Sequence, residues 1–358
     1  MRINSYNFGF QSPYGHHNII NAITDRTMSS EQTSLSSSLN ADEDPSHNLI
    51  ESSESCPLGK KENGRWAEQI QLMSLDKISF RQTPCTFDED QLNNTLIEGD
   101  CLDVLEKFPA HSVDMILCDL PYGTTQNKWD SVIDLDKLWR AYSRVIKENG
   151  AIVLTSQGIF TAKLILSNPD LFKYKLVWEK SKPTNFLNAK KQPLRKHEDV
   201  CVFYKKQPTY NPQMKMGVAY DKGIRKNQFS GSYGDFQPVH VKSIGERYPT
   251  DVVYFKTAES EGPVWHPTQK PVELARYLIR TYTNPGDLVL DNAFGSGSFL
   301  VAALLENRRF CGIEKNKDTH LFKKKKIDYV QVALQRLSDA MGSGHSLNGI
   351  KVYREAGE

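Results

Sequence analysis

Residues 116–123 read Ile-Leu-Cys-Asp-Leu-Pro-Tyr-Gly, and residues 290–298 read Leu-Asp-Asn-Ala-Phe-Gly-Ser-Gly-Ser. Each closes a short apolar run, Val113–Cys118 in the first case and Asp287–Leu290 in the second. Runs of this length bounded by turn residues have the pattern of buried strands. Both polar segments therefore fall at a strand's carboxyl end, where open α/β sheets build their sites.

Outward from these two points the chain alternates. Thr95 begins a strand that turns at Gly99 into a helix with apolar spacing at Leu102, Leu105 and Phe108. Leu135–Lys147 is an amphipathic helix that Asn149-Gly150 should stop, and Ala151–Thr155 is the strand after it. Lys175–Trp178 and Val200–Tyr204 read as two further strands, with a Lys-, Asn- and Gln-rich loop between them. The stretch 210–248 has Gly, Pro and Asn every few residues and is expected to be mostly loop. Pro271 opens a helix through Arg280, Ser298–Glu306 is a helix, and Phe310–Ile313 is a strand ending at Glu314. This alternation predicts an α/β fold with a doubly wound, mainly parallel sheet.

A net charge of +2 conceals an uneven distribution. From Met28 to Gly59 there is no Lys or Arg, while ten serines stand among Glu31, Asp42, Glu43, Asp44, Glu51 and Glu54. Such a segment buries too little apolar surface to offset its ordering entropy. Residues 1–85 are accordingly expected to be a mostly disordered extension, with a short helix allowed over Arg65–Leu75, and 341–358 a C-terminal tail. Lys180–Lys256 is the opposite, with 15 Lys and Arg against six Asp and Glu, interleaved with eleven Phe and Tyr. A basic, aromatic-rich region is the electrostatic footprint of a nucleic-acid partner. Within it Lys190, Lys191, Arg195 and Lys196 are the expected DNA contacts.

No run approaches the 18 or so apolar residues of a membrane span, and Met1–Asn7 has no signal-peptide core. Six cysteines occur without a Cys-x-x-Cys pair, so neither a disulfide framework nor a metal site is expected. The expected compartment is reducing and cytoplasmic, nucleoid-associated in a bacterial or phage setting.

After the strand at 287–290, glycines at 295 and 297 allow a sharp turn and a close ligand approach, and the next helix aims its amides at what is bound. Glu314 ends the following strand, 23 residues beyond Asp291. A carboxylate at about that distance accepts hydrogen bonds from ribose hydroxyls in dinucleotide folds.

Asp119-Leu120-Pro121-Tyr122 resembles the (Asp/Asn/Ser)-Pro-Pro-Tyr signature of amino-group DNA methyltransferases. Phe294-Gly295-Ser296-Gly297 resembles their Phe-x-Gly-x-Gly loop for S-adenosylmethionine. His266–Pro271 matches their His-Pro-Thr-Gln-Lys-Pro segment letter for letter, and Gly99-Asp100-Cys101 is also similar. The resemblance runs from about residue 90 to 335 and is to the permuted, adenine-N6 type whose catalytic motif precedes its cofactor motif. It implies a Rossmann-like S-adenosylmethionine-dependent methyltransferase sheet over 86–340, with 187–262 an inserted target-recognition region.

By the same resemblance the cofactor is S-adenosylmethionine, held by Asp100, Cys101, His266, Thr268, Lys270, Asp291, Phe294, Gly295, Gly297 and Glu314. Thr268 and Lys270 would approach the methionine carboxylate, and Asp100 and Cys101 the adenine. The partner is double-stranded DNA with the target base flipped out, and a homodimer and a cognate restriction enzyme are compatible with the family.

Catalysis is expected from Asp119, Leu120, Pro121 and Tyr122. An exocyclic amine is a poor nucleophile because its lone pair is delocalised into the ring. The Asp119 carboxylate and the Leu120 carbonyl, held by Pro121, would accept the NH₂ protons, localise the lone pair and compensate developing charge. Tyr122 offers a ring for the extruded base. Asp at the first position favours adenine N6. Cytosine N4 is the alternative, and a catalytically inactive DNA-binding relative the less favoured one, since Leu120 and Asn292 stand where the family usually has Pro. His197, in Lys-His-Glu-Asp, reads as pocket wall rather than acid-base group, and Trp129 and Trp178 as core or pocket lining.

Overall fold

The computed structural model describes residues 79–124, 130–225, 238–316, 327–342 and 349–354, together with short backbone pairings at 61–62 with 65–66 and 321–322 with 325–326. Most of the acidic extension and Trp129 lie outside the described residues. Arg65–Trp66, where a helix was allowed, pair as a strand with Lys61–Glu62.

One ten-stranded sheet organises the chain. Its strands are β1 (Phe80–Gln82), β2 (Thr95–Glu98), β3 (Val113–Cys118), β4 (Ile146–Ser156), β5 (Phe172–Thr184), β6 (Arg195–Phe203), β7 (Val252–Phe255), β8 (Leu288–Asp291), β9 (Arg309–Glu314) and β10 (Lys351–Arg354). They lie in the order β7-β5-β6-β4-β3-β8-β9-β2-β10-β1. All neighbours are parallel except β6, which runs antiparallel to both β4 and β5.

Alternation along the strands assigns the two faces. Met115 and Leu117 of β3 pack with Val153 and Val289 beneath three helices, α5 (Val272–Tyr282), α6 (Ser298–Leu305) and α7 (Tyr329–Met341). Ile116 and Cys118 point the other way, with Ile152, Leu154 and Leu290, toward α2 (Cys101–Glu106), α3 (Leu135–Val145) and α4 (Ile159–Ser167); a four-residue α1 (Glu89–Leu92) precedes β2. Each such fully buried aliphatic side chain contributes roughly 1.5–3 kcal/mol. The result is the doubly wound, helix-sheet-helix architecture that the alternation predicts.

Four boundaries differ from expectation. Phe80–Gln82, assigned to the extension, is an edge strand, and Lys351–Arg354, assigned to the tail, is inserted between it and β2. Arg354 fixes this edge by pairing with Glu98 and Asp328 and lying 3.8 Å over the Phe80 ring. Asn149-Gly150 does not stop a helix, because α3 ends at Val145 and β4 starts at once. The glycine lies within β4 where its register with β3 shifts, and a Cβ there would meet the Asp114 carbonyl at 2.8 Å. Within 210–248 two small antiparallel ribbons form, Lys215–Met216 with Glu246–Arg247 and Tyr220–Arg225 with Val239–Ser243.

Among the described residues no helix is long and apolar enough to cross a membrane.

Candidate active site

Because β3 and β8 are parallel neighbours, with Ile116 opposite Leu290, the two polar segments that follow them emerge side by side. Between them opens a cavity of about 910 Å³. Asp119, Leu120, Pro121 and Tyr122 line it, as do Asp100, Cys101, His266, Thr268, Lys270, Asp291, Phe294, Gly295 and Glu314. Gly297 is the one expected cofactor residue that does not.

At the β3 end, Asp119 is held from three sides. Tyr122 donates its hydroxyl to Asp119 Oδ1 at 2.8 Å, Thr155 of β4 donates to the same oxygen, and Lys270 Nζ lies 2.7 Å from Oδ2. Lys270 also stands 3.3 Å from Glu198 Oε2, and Glu198 Oε1 is 3.2 Å from Lys180 Nζ. A line of alternating charge, Asp119–Lys270–Glu198–Lys180, thus runs along the cavity wall. Burial by itself would push the Lys270 ammonium down, but the carboxylates of Asp119 and Glu198 together outweigh it and hold the ammonium above its ordinary range. Lys270, expected near a methionine carboxylate, is therefore committed to two protein carboxylates.

Tyr122 stacks on Phe160 with ring centroids 5.0 Å apart, and Lys270 Nζ lies 5.3 Å from its centroid. Burial pushes its phenol far above the usual range, so it stays a donor to Asp119. The Leu120 side chain is buried in the core, so a leucine at this place adds packing while leaving its backbone carbonyl in the motif. The segment is pinned from outside the motif by Asp130, whose two oxygens accept from Gly123 N and Thr124 N at 2.8 and 2.9 Å. Glu198, and not its neighbour His197, lines the cavity, which corrects the pocket-wall reading of the histidine. Trp178 is buried, donates to the Phe255 carbonyl and lines the cavity as well.

At the β8 end, Gly295 has φ +48°, lines the cavity and donates its N–H to Glu314 Oε2 at 2.7 Å. Gly297, at φ +75°, starts α6, but its missing Cβ faces Ala333 of α7 at 2.9 Å. The glycine there serves helix packing, which overturns its reading as a point of ligand approach. Arg336 of α7 holds the loop by donating to the Ser296 carbonyl and hydroxyl and to Ser298 Oγ. Asp291 is buried at the strand end, and burial pushes its carboxyl well above the usual range. Asp100 caps α2 through Leu102 N and pairs with Lys315 at 2.7 Å; burial pushes the adjacent Cys101 thiol up to about 11.

The segment 263–271 carries His266, Thr268 and Lys270 across the cavity. Glu261 anchors it, its carboxylate accepting from Val272 N at 2.6 Å and Glu273 N at 3.1 Å at the start of α5. Pro271 has no side chain with which to do this. Burial pushes the Glu261 carboxyl up to about 7.

Of the expected DNA contacts, Lys190 and Lys191 are exposed on the loop between β5 and β6. Arg195 donates to Gln157 Oε1 and lines the cavity. Lys196 pairs with Glu179 at 2.8 Å, which engages the charge that was expected to meet phosphate.

The cavity thus has an anchored carboxylate beside an aromatic ring at one end. At the other, Asp100 and Glu314 place carboxylates, Ser296 and Thr268 hydroxyls, and Phe294 and Tyr329 rings around a glycine turn. This donor set fits a nucleoside joined to a charged amino-acid chain.

A family model of N6/N4 methyltransferases, described as DNA methylase, matches residues 113–324. The DNA adenine methyltransferase YhdJ of Escherichia coli (strain K12) is 30% identical over 260 residues, spanning 69% of this chain and 83% of its own length. The type II methyltransferase M2.MboI of Moraxella bovis is 26% identical over 259 residues, 64% of this chain and 85% of its own. Among solved structures, the M1.HpyAVI–SAM complex aligns over 68% of this chain and 98% of its own, at 22% identity and a TM-score of 0.46.

Proposed function

The chain belongs to the N6/N4 DNA methylase family, and from that premise we propose that it methylates the exocyclic N6 amino group of a flipped-out adenine in double-stranded DNA. The observation that carries this reading is the Asp119 carboxylate, fixed by Tyr122, Thr155 and Lys270 on the wall of the shared cavity.

S-adenosylmethionine, when bound, supplies an activated methyl group on a sulfonium. Asp100, Cys101, Phe294, Gly295 and Glu314 would hold it, and each lies on the cavity wall. Asp119 accepts hydrogen bonds from the amine, which localises the lone pair on nitrogen. The Leu120 carbonyl adds a second acceptor. Lys270 fixes the orientation of Asp119 through its contact with Oδ2, so the acceptor needs no reorganisation as positive charge develops. Tyr122 gives the base a stacking face, worth roughly 1–3 kcal/mol by analogy with other such sites. Two reactants held in one cavity supply much of the remaining acceleration, and no covalent intermediate is required.

The basic stretch 187–262 is the proposed target-recognition region, with Lys190, Lys191 and Arg195 as phosphate contacts. The adenine-N6 choice over cytosine N4 rests on the aspartate of the motif and on the adenine-specific relative.

Incubating the purified chain with unmethylated DNA and methyl-labelled S-adenosylmethionine, then separating the nucleosides, tests this reading. N6-methyladenine is expected. N4-methylcytosine would reassign the base, and no labelled nucleoside would overturn the function.

A further inference from the structure

The turn between β5 and β6 exposes two large apolar side chains where the fold gives them nothing to cover. Phe186 is 73% and Leu187 86% exposed. They are not on a loose tip. Asn185 takes the left-handed region at φ +70°, Asn188 donates Nδ2 to Asn185 Oδ1 at 2.7 Å, and Asn188 N and Ala189 N close the turn onto the carbonyls of Asn185 and Phe186.

The base of this turn is the rim of the active site. Thr184 and Arg195 are paired across the two strands, and both line the cavity that contains Asp119. Around the apolar pair, Lys182 to Lys196 holds five cations and no acidic residue. All are exposed: Lys182 and Lys196 pair with Glu259 and Glu179, and Lys190 and Lys191 stand on the loop itself. A second copy would present the same positive surface and be repelled, whereas a polyanion with an apolar interior is complementary in both respects. The base stack of a duplex has that composition, with phosphates outside and apolar ring faces within.

We propose that Phe186 and Leu187 are a wedge that enters the DNA base stack beside the target and fills the space the extruded base leaves. The inference rests on the functional reading above and adds to it the group that opens the duplex. A target base leaves the stack only at the cost of its pairing and stacking, and that cost is smallest where the base has no partner. Apolar side chains inserted at a base step offset it.

The test uses the full chain and a duplex carrying one methylation site mapped with the wild-type protein. One form is fully paired and the other has an abasic position opposite the target. The double variant Phe186→Ala/Leu187→Ala should lose at least tenfold in turnover on the paired duplex and return to within about threefold of wild type on the abasic one. With 2-aminopurine at the target, the fluorescence rise on wild-type binding should be reduced in the variant, a readout independent of turnover. Thermal stability and S-adenosylmethionine affinity should be unchanged, because both side chains are exposed. Equal loss on the two duplexes, no loss on either, or a shift in oligomeric state would overturn the wedge. A wild-type chain that methylates no DNA would instead fail in the reference reaction and sink the functional reading with it.

Discussion

Lys270 Nζ sits 2.7 Å from Asp119 Oδ2, joining two motifs 151 residues apart in the sequence. The two meet because β3 and β8 are adjacent and the segment leading into α5 crosses the ends of both. With Glu198 on the far side of the ammonium, the catalytic carboxylate belongs to a buried network.

Lys270→Met leaves Asp119 and Glu198 near each other without a cation. Removing one partner of a buried pair costs on the order of 3 kcal/mol, so chemical denaturation should report a loss of that size, together with loss of methyl transfer. Lys270→Arg, which keeps the charge, should restore most of the stability. A Met variant as stable and active as wild type would remove Lys270 from the mechanism.

The two glycines of the cofactor loop should fail differently. Gly297→Val forces a branched side chain onto Ala333 of α7 and should destabilise the ligand-free protein by about 2 kcal/mol or more, since overpacking and left-handed strain add. Gly295→Ala has ordinary contact distance to His266 and a milder backbone cost, so its main effect should be on S-adenosylmethionine binding. Calorimetry and denaturation on each variant separate the two effects. Reversed outcomes would restore Gly297 to the binding surface.

Glu261 gives stability a pH dependence with a definite sign. Its carboxyl is raised from an ordinary 4.5 to about 7 in the folded protein, so the fold binds this proton more tightly than the unfolded chain does. Its contribution is full below about pH 4.5 and is lost as pH rises to 7, by an amount on the order of 3 kcal/mol. Glu261→Gln should abolish that slope. Denaturation midpoints at pH 5 and 8 for both proteins provide the check, and an identical difference in the two would refute it.

The DNA surface should be read from its salt dependence. Lys190→Ala/Lys191→Ala should reduce the slope of log affinity against log salt by about 2, as two counterions fewer are released. Lys196→Ala should change it less, because Glu179 already holds that ammonium. A slope unchanged by the double variant would move the phosphate contacts to the ribbons of 215–247.

The residues that could be read in advance are those whose role is local. Leu288–Leu290 is apolar and short, and Phe294–Gly297 turns after it, so strand and loop follow from a dozen neighbouring letters. Glu261 was invisible because its carboxylate caps a helix eleven residues on, a contact no spacing rule describes. Arg336 and Asp130 were missed for the same reason, since each reaches its loop through the folded packing. The packing role of Gly297 and the pairing of Lys270 with Asp119 and Glu198 lie beyond the motifs, because a motif says which residues gather and not which way each faces. Phe80–Gln82 and Lys351–Arg354 are too short to carry a period, and only their pairing with each other and with β2 makes them strands.

Placed on the cavity wall beside Tyr122, Asp119 should act on the amine and not on the cofactor. Methyl transfer to DNA and S-adenosylmethionine affinity, measured on one preparation of Asp119→Ala, test it most directly. Transfer should fall by at least about a hundredfold while affinity stays within about tenfold, or 1.4 kcal/mol. Near-normal transfer, or a parallel collapse of affinity in a folded protein, would contradict it.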